Sequence, residues 1–504
     1  MSTGNPKVTR RQVLKAGAAG AVLAAGMPVG AFAASGVVAA TTPNVVSQEN
    51  ALPGTSAWQL TNPDWNGLIA GYASDVSINR GQSITFYFSA SQDTVGSFAI
   101  YRLGWYGGKG GRLITGPFSI SLSNQVTPAP NPTTGLNDMG WHATFVEHTQ
   151  TSTSPTVWPS GVYVAQITGA TTGLQNYVVF VVRDDARSSD LLFQQSVLTY
   201  QAYNFWGGMS LYPNAADQQG VAVSFNRPYD RSWGAGDLLN WDIMLIRFME
   251  RHGYDVTYAT DIDVARGRGI DTPRKAIVIG GHDEYWTYGM RENIQSSIAN
   301  GVNLAVFGAD TCYCQVRLQP DAAGNPDRTV IAYKNGYAND PFYQLSLSTK
   351  TPQAAFYNNR VTTLWRNAPL NAPEDAFLGS LFHLYPASGN VIVANPGHWF
   401  WANTGASVGT AIPGILGVET DALGQNTPPG TVVLTSSPDA AGYANSTLYT
   451  APSGAQVFNA GTMFWSWALD NYPSWWTYAN PQNLVSSVAQ QATVNLLNAF
   501  TYQK

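Results

Sequence analysis

Cysteine is almost absent from this chain. The 504 residues include only two cysteines, Cys312 and Cys314, and a bridge between residues two apart would close a strained loop. The sequence therefore excludes a disulfide framework, and two thiolates are too few for a zinc site built on cysteine. We expect two packed thiols, and a nucleophilic role for one of them is the less favoured alternative.

Charge is also scarce. Charged residues make up 11% of the chain and the formal net charge is −5, whereas soluble domains usually carry roughly a quarter of charged residues. Nothing in the sequence resembles the basic footprint of a nucleic-acid-binding protein. The chain has 49 glycines, 16 tryptophans and 25 tyrosines. This composition is typical of secreted proteins that meet neutral substrates.

Long apolar runs are missing beyond a weakly hydrophobic segment near the N-terminus. That segment follows Thr-Arg-Arg-Gln-Val-Leu-Lys, in which Arg10 and Arg11 form the twin arginine of a signal for export of folded proteins. Ala-Phe-Ala at 31–33 fits a cleavage site. We predict a twin-arginine signal peptide over residues 1–33 and a periplasmic or extracellular protein. We expect no membrane contact after cleavage, because no other run reaches roughly 18 apolar residues.

Two regions of different pattern follow the signal. Residues 34–56 lack periodicity and are rich in Ala, Val, Thr and Pro, which predicts a linker. Residues 57–183 contain runs that alternate with period two, such as Ile-Thr-Phe-Tyr-Phe at 84–88, with turn residues between them. This pattern predicts an all-β sandwich of immunoglobulin-like size.

A glycine-rich segment lies inside the predicted sandwich. Residues 101–112 read Tyr-Arg-Leu-Gly-Trp-Tyr-Gly-Gly-Lys-Gly-Gly-Arg. The glycines suggest a phosphate-binding loop, but no helix follows that would offer its N-terminus to an anion. The segment is better explained as a hairpin with exposed aromatic residues. Trp105 and Tyr106 would then face a ligand or the second domain.

The remaining residues, 184–504, alternate between strand and helix patterns. Apolar runs at 191–198, 276–279 and 302–307 are typical of buried strands. Strands that alternate with helices favour a mostly parallel sheet with helices on both faces. We therefore predict an α/β domain behind the β-sandwich.

Two aromatic and polar segments directly follow predicted buried strands. Residues 200–212 read Tyr-Gln-Ala-Tyr-Asn-Phe-Trp-Gly-Gly-Met-Ser-Leu-Tyr, and residues 280–286 read Gly-Gly-His-Asp-Glu-Tyr-Trp. Ligands of open α/β sheets bind just beyond the carboxyl ends of the strands. Oxygen donors and a histidine at that edge favour a hard metal ion and hydrolytic chemistry.

These motifs carry a specific resemblance. With Gly-Ala-Asp-Thr-Cys-Tyr-Cys at 308–314 and Gly-Thr-Met-Phe-Trp-Ser-Trp-Ala-Leu-Asp at 461–470, they are similar to the large (beta) subunit family of N,N-dimethylformamidase. The resemblance extends roughly from residue 190 to the C-terminus. It implies a glutamine-amidotransferase-like α/β domain that hydrolyses small N-substituted amides. It also implies a mononuclear iron held by two tyrosinates and one glutamate.

The resemblance assigns three metal ligands in this sequence. Glu284 matches the glutamate in His-x-Glu-Tyr, and Tyr203 in Ala-Tyr-Asn matches one tyrosine. Tyr212 in Ser-Leu-Tyr matches the other tyrosine, and Tyr200 is its rival because it lies three residues from Tyr203. The chain has Asp283 where the amidase tends to have proline, which argues against dimethylformamide itself as the substrate.

Catalytic roles around the metal fall on His282, Lys334 and Glu419. In such an enzyme an iron-bound water attacks the carbonyl of the amide. Glu419 or His282 would take the proton from that water and return it to the leaving amine. Lys334 would stabilise the developing oxyanion. The expected partner is a small-molecule amide.

A second class of function also fits the sequence. An exported protein of this composition can be an inactive hydrolase that binds polysaccharide or another cell-surface component. Its aromatic β-domain would then make the glycan or cell-wall contact. A hydrolase acting on glycans is a weaker third interpretation. Metal analysis of the purified protein separates the first two.

Overall fold

The computed structural model of the protein describes residues 43–150, 154, 156–473 and 484–502. The predicted signal peptide and the first residues of the predicted linker, up to residue 42, lie outside the described residues. Across the ranges that the structure describes, the helices are too short or too polar to traverse a bilayer.

Two β-sheets packed face to face form the first part of the chain. Their strands are β1 (Ile69–Ala73), β2 (Ser77–Asn79), β3 (Ser83–Ala90), β4 (Val95–Leu103), β5 (Gly111–Ser121), β6 (Phe145–His148), β7 (Gly161–Gly169) and β8 (Gln175–Arg183). One sheet has the order β1-β3-β6 and the other the order β2-β8-β7-β4-β5. Phe86 lies between them and packs against Phe98 and Phe180, with centroid distances of 5.1 and 5.6 Å. Strands therefore occur where the period-two pattern predicts them, and the immunoglobulin-like assignment stays a prediction.

The second part of the chain combines strands and helices. Its strands are β9 (Leu191–Gln195), β10 (Ala222–Ser224), β11 (Val256–Thr260), β12 (Ala276–Ile279), β13 (Tyr285–Thr287), β14 (Asn303–Val306), β15 (Cys314–Gln319), β16 (Thr329–Ile331), β17 (Leu381–Ile392), β18 (Ala411–Ala422), β19 (Val432–Val433), β20 (Ser437–Asp439), β21 (Gly442–Ala444), β22 (Thr447–Thr450) and β23 (Gln456–Asn459). The α-helices of the described chain are α1 (Val45–Asn50), α2 (Val197–Ala202), α3 (Ile243–Arg251), α4 (Asp261–Ala265), α5 (Tyr288–Ala299), α6 (Pro341–Ser348), α7 (Gln353–Asn358), α8 (Asp375–Leu378) and α9 (Ser487–Tyr502).

The largest sheet of the second part has the order β11-β9-β12-β14-β23-β22-β19. Neighbouring strands from β11 to β23 are parallel, and β22 and β19 complete the sheet in antiparallel pairs. Every residue of β9, β11, β12 and β14 is buried, because both faces of a parallel sheet are covered. The protein thus has a mixed α/β fold in which strands predominate. Its glutamine-amidotransferase-like assignment stays a prediction.

The larger sheet of the sandwich packs against the second part through its outer face. Tyr101 and Val164 of that sheet share a buried cluster with Phe193 and Tyr258 of the second part. The inner face of the same sheet packs into the core around Phe86. The strand pattern changes at the boundary predicted after residue 183, but side chains from both sides of this boundary share one buried core.

The glycine-rich segment between β4 and β5 forms part of this junction. Tyr106 is 3% exposed, so the prediction that its aromatic residues are exposed is wrong for this side chain. Trp105 lies under the guanidinium groups of Arg247 and Arg251 on α3, at 5.0 and 5.3 Å from the ring centroid. The segment thus faces the second part of the chain, which agrees with one of the two alternatives that the sequence leaves open.

Part of the predicted linker is also ordered against the junction. Residues 45–50 form α1, and Asn44 caps it by accepting a hydrogen bond from Ser47 N at 2.9 Å. Glu49 is fully buried and binds Arg112 at 2.5 Å and the Tyr106 hydroxyl at 2.6 Å. No periodicity marks this helix in the sequence, because a helix of this length has too few residues for a repeating apolar stripe.

Candidate metal centre

The candidate site lies at the carboxyl edge of the parallel strands. Tyr203 follows β9 through the short helix α2, Glu284 lies between β12 and β13, and Asp310 follows β14. Lys334 follows β16, and Glu419 lies within β18. Tyr203, Glu284 and Asp310 meet there because parallel strands end at one edge of their sheet. Lys334 and Glu419 reach the same place from strands of other sheets.

Two glycines allow the loops after β12 and β14 to approach each other. A Cβ on Gly308 would lie 2.5 Å from the carbonyl oxygen of Gly281, which no side chain tolerates. The close approach continues in a parallel bridge between His282 and Ala309. The glycines therefore bring His282 and Asp310 to neighbouring positions on adjacent loops.

Tyr203, Tyr212 and Glu284 converge on a common point. The Tyr203 hydroxyl donates to Glu284 Oε2 at 2.5 Å, and the Tyr212 hydroxyl lies 2.7 and 2.9 Å from the two oxygens of the same carboxylate. The two hydroxyls are 2.8 Å apart. Glu284 is 2% and Tyr203 7% exposed. Three hard oxygen donors, of the kind that bind a metal, thus gather in a buried place. Their role as metal ligands stays a prediction.

Tyr200, the rival ligand, is directed elsewhere. Its hydroxyl donates a short hydrogen bond to Asp242 Oδ2 and receives one from Gln195 Nε2 at 3.4 Å. Burial raises the pKa of Asp242 to about 8. The structure therefore brings Tyr212 to the carboxylate of Glu284 and holds Tyr200 against a different acid.

Lys334 lies behind the two tyrosines. Its ammonium group donates to the carbonyl oxygen of Leu211, lies 3.4 Å from the Tyr285 hydroxyl, and sits 3.8 Å from the ring centroid of Tyr212. The Tyr285 hydroxyl in turn donates to the Tyr212 hydroxyl at 2.8 Å. A cation at this position favours a negative charge on the Tyr212 oxygen.

His282 bridges two carboxylates. Its Nε2 atom is 3.5 Å from Glu284 Oε2 and 3.4 Å from Glu419 Oε2, and all three side chains are buried. Burial opposes the charge on the ring, but the adjacent carboxylates of Glu284 and Glu419 outweigh it and raise the pKa of His282 to about 9. The pair of His282 and Glu419 can therefore hold a proton beside Glu284.

A second group of metal-binding side chains overlaps with this arrangement. One ligand atom each from His282, Asp310 and Glu419 lies within 4.8 Å of the others, and all three residues are buried. Asp421 fixes the loop of Asp310, because its Oδ1 accepts a hydrogen bond from Asp310 N at 2.8 Å. The site can thus hold a metal ion through His and carboxylate ligands, next to the tyrosine and glutamate oxygens.

Asp283 and the cysteines lie around this centre. Asp283 accepts a hydrogen bond from Gln194 Nε2 at 2.7 Å, and burial raises its pKa to about 7. Both cysteines are free thiols in buried positions, as expected. Cys314 Sγ is 3.9 Å from Glu284 Oε1, and burial raises its pKa well above the usual value for a thiol. A thiol kept protonated in this way is a poor nucleophile.

Sequence reasoning missed three residues of the site. Tyr285 is hydrogen-bonded to Tyr212, Asp421 is hydrogen-bonded to the backbone of Asp310, and the Arg231 guanidinium lies 5.0 Å from the ring centroid of Tyr203. A sequence signal existed for Asp421, since it lies two residues after Glu419 on the same strand and so shares its face. No local pattern marks Arg231.

A comparison with protein families identifies the family of this chain. Residues 97–480, more than half of the 504 residues, match the model of the family described as N,N-dimethylformamidase beta subunit-like, C-terminal. The chain belongs to this family. The resemblance read from the motifs is thereby confirmed. The match begins within β4, earlier than the predicted start near residue 190, and so includes most of the sandwich. A search of curated proteins found no significant match.

Membership of the dimethylformamidase beta subunit-like family points to an amide hydrolase. The side chains gathered in the centre agree with that class of reaction. A buried cluster of oxygen ligands, a histidine between two carboxylates and a nearby lysine provide the groups that metal-assisted hydrolysis requires.

Proposed function

We propose that the protein is an exported, iron-dependent hydrolase of the carbon–nitrogen bond of small or N-substituted amides. The observation that carries the proposal is the convergence of the Tyr203 and Tyr212 hydroxyls on the carboxylate of Glu284. Family membership supports the amide as the class of substrate.

The donor set fits a hard, ferric-type ion. Phenolate and carboxylate oxygens are ligands that such an ion prefers, and Tyr203, Tyr212 and Glu284 would hold it. When bound, the ion supplies a Lewis acid that polarises an amide carbonyl and acidifies water. Lys334 supports this assignment because its charge, close to the Tyr212 ring, favours the phenolate.

The surrounding residues of this chain supply the proton transfers. Glu419 accepts the proton of the attacking water and, with His282, returns it to the nitrogen of the leaving amine. His282 Nε2 and Glu419 Oε2 are 3.4 Å apart, so the two groups assigned to proton transfer are neighbours. Lys334 is assigned the positive charge that stabilises the carbonyl oxygen as it becomes negative.

The proposal is tested by a broad amide screen. Iron-replete protein should release an amine from at least one small or N-substituted amide and should lose that activity when the iron is removed. Dimethylformamide itself is expected to be a poor substrate, because Asp283 replaces the proline that the family enzyme tends to have beside the glutamate. Absence of amine release from every amide would contradict the proposal.

Glu419→Gln is expected to lower turnover by about 100-fold or more, because general acid–base groups contribute that much. The variant should keep its iron, since Glu419 is assigned proton transfer and the metal is assigned to Tyr203, Tyr212 and Glu284. Metal analysis and kcat measured on one preparation check both parts. Loss of iron would instead place the metal at His282, Asp310 and Glu419.

Export is a separate prediction. Replacing Arg10 and Arg11 by lysine should abolish processing, because twin-arginine transport recognises the pair of guanidinium groups. The size and compartment of the expressed protein, followed by immunoblotting, report the result. A double-lysine variant that is still exported and cleaved near Ala33 would rule out this route.

A further inference from the structure

An aromatic cleft lies where the sandwich meets the second part of the chain. Its volume is about 400 Å³, which is within the usual range for ligand sites. Residues 64–67 line it from the sandwich side, and the second part of the chain contributes Phe205, Trp206, Gly207, Tyr229, Asp230 and Trp233. We call this feature the junction cleft. The proposed amide chemistry does not use it.

Tryptophan dominates the junction cleft. Trp65 is 74% exposed, and its ring meets that of Trp233 edge to face at a centroid distance of 4.7 Å. Trp206 reaches across to Gly67, where an added Cβ would lie 3.0 Å from the indole ring. Trp65 and Trp206 thus present aromatic surface within a concave place, where small-molecule sites preferentially occur.

The walls of the cleft are held by polar contacts. The carboxylate of Asp64 accepts hydrogen bonds from Asn66 N at 2.8 Å and Ile69 N at 2.7 Å, which fixes the loop that carries Trp65. The backbone of Trp206 is fixed by Asn204 Oδ1, which accepts from Trp206 N at 3.0 Å. The aromatic surfaces are thus preorganised, and a ligand does not have to order them.

The remaining groups of the cleft select against anions. Asn66, Thr127 and Asp230 are exposed and supply an amide, a hydroxyl and a carboxylate. Within the described part of the chain, the lining includes neither lysine nor arginine. Hydrogen-bonding groups of this kind suit hydroxyls, and the carboxylate repels a negatively charged ligand.

We infer that the junction cleft binds a neutral saccharide. The apolar face of a pyranose ring lies on Trp65 or Trp206, and Asn66 and Asp230 bind its hydroxyls. This is a binding activity separate from amide hydrolysis, and it places the glycan contact at the junction of the two parts. A proline-rich peptide also stacks on tryptophan, and a comparison of its affinity with that of the saccharides distinguishes the two ligands.

The inference is tested by titrating the full chain with uncharged oligosaccharides from glucan, xylan and mannan. Calorimetry and tryptophan fluorescence measure binding, with no amide present. At least one of these saccharides should bind, and Trp65→Ala should weaken it about tenfold or more, as expected for loss of a large aromatic contact. Trp65→Phe should retain part of the affinity.

Tyr443→Ala is the matched control, because Tyr443 is 60% exposed but lies outside the cleft. It should leave saccharide affinity unchanged. Circular dichroism and thermal unfolding establish that each variant is folded. Three results would overturn the inference: no binding of any neutral saccharide, binding that Trp65→Ala does not weaken, or tighter binding of oligogalacturonate or a proline-rich peptide.

Discussion

Glu284→Ala is expected to empty the metal site and abolish amide hydrolysis. The carboxylate of Glu284 contacts both the Tyr203 and the Tyr212 hydroxyl, so its removal separates the proposed ligands. Loss of a Lewis acid removes several kcal/mol of transition-state stabilisation, so we expect turnover to fall about 1000-fold or more. Iron per chain, the tyrosinate charge-transfer band and amine release are measured together.

Two variants serve as controls for Glu284→Ala. Tyr200→Phe should retain iron and its absorption band, because Tyr200 donates to Asp242 and not to Glu284. Asp310→Asn tests the alternative ligand group of His282, Asp310 and Glu419, and it should also retain iron. Full iron in Glu284→Ala, or loss of iron in Asp310→Asn alone, would contradict the proposed ligand set.

Arg102→Ala is expected to destabilise the protein by about 3–5 kcal/mol, the usual effect of leaving a buried charge without its partner. Arg102 on β4 is 1% exposed and Glu250 on α3 is 2% exposed. Their contact is bidentate, with N–O distances of 2.6 and 3.1 Å. The guanidinium also donates to Ser160 O at 2.9 Å and the Tyr106 hydroxyl at 3.0 Å. Removal of Arg102 leaves Glu250 buried at the junction.

Arg266→Ala is the matched control for this effect. Arg266 pairs with Asp327, but its side chain is 49% exposed, and exposed pairs contribute about 0–1 kcal/mol. Denaturant unfolding of both variants gives the two free energies. A loss of the same size in both would show that Arg102 adds no more than a surface pair. Selective destabilisation of one half of the chain would show that the two halves unfold separately.

The metal-centre motifs illustrate how far the sequence reaches. Glu284 and Tyr203 follow apolar runs that are recognisably buried strands, so their place at the carboxyl edge of a parallel sheet could be predicted. The choice between Tyr200 and Tyr212 could not. Both residues are tyrosines close to Tyr203 in the sequence, so either could supply the second phenolic oxygen. Only the turn after α2 and the position of Asp242 decide which hydroxyl reaches the carboxylate of Glu284.

The junction was harder to predict than either half. The sequence predicts a hairpin for the glycine-rich segment at 101–112, and the structure has one there. The buried partners of this segment, Glu49 and Glu250, lie on helices that are remote in the chain. A charged residue within an apolar strand pattern does not indicate which distant residue compensates its charge. The helix at residues 45–50 is held by contacts of Glu49 with this distant segment. Because those contacts are not visible in the local sequence, the sequence predicted a linker there.

The sequence by itself determined the family, the alternation of strands and helices, and the residue types available for hydrolysis. These follow from local periodicity and from motifs that are short and contiguous. The tertiary structure decided the grouping of His282, Asp310 and Glu419, the direction of Tyr200 and the junction cleft between Trp65 and Trp206. Each of these depends on the packing of residues from separate loops, because side-chain distances between them are set by how the sheets and helices fit together.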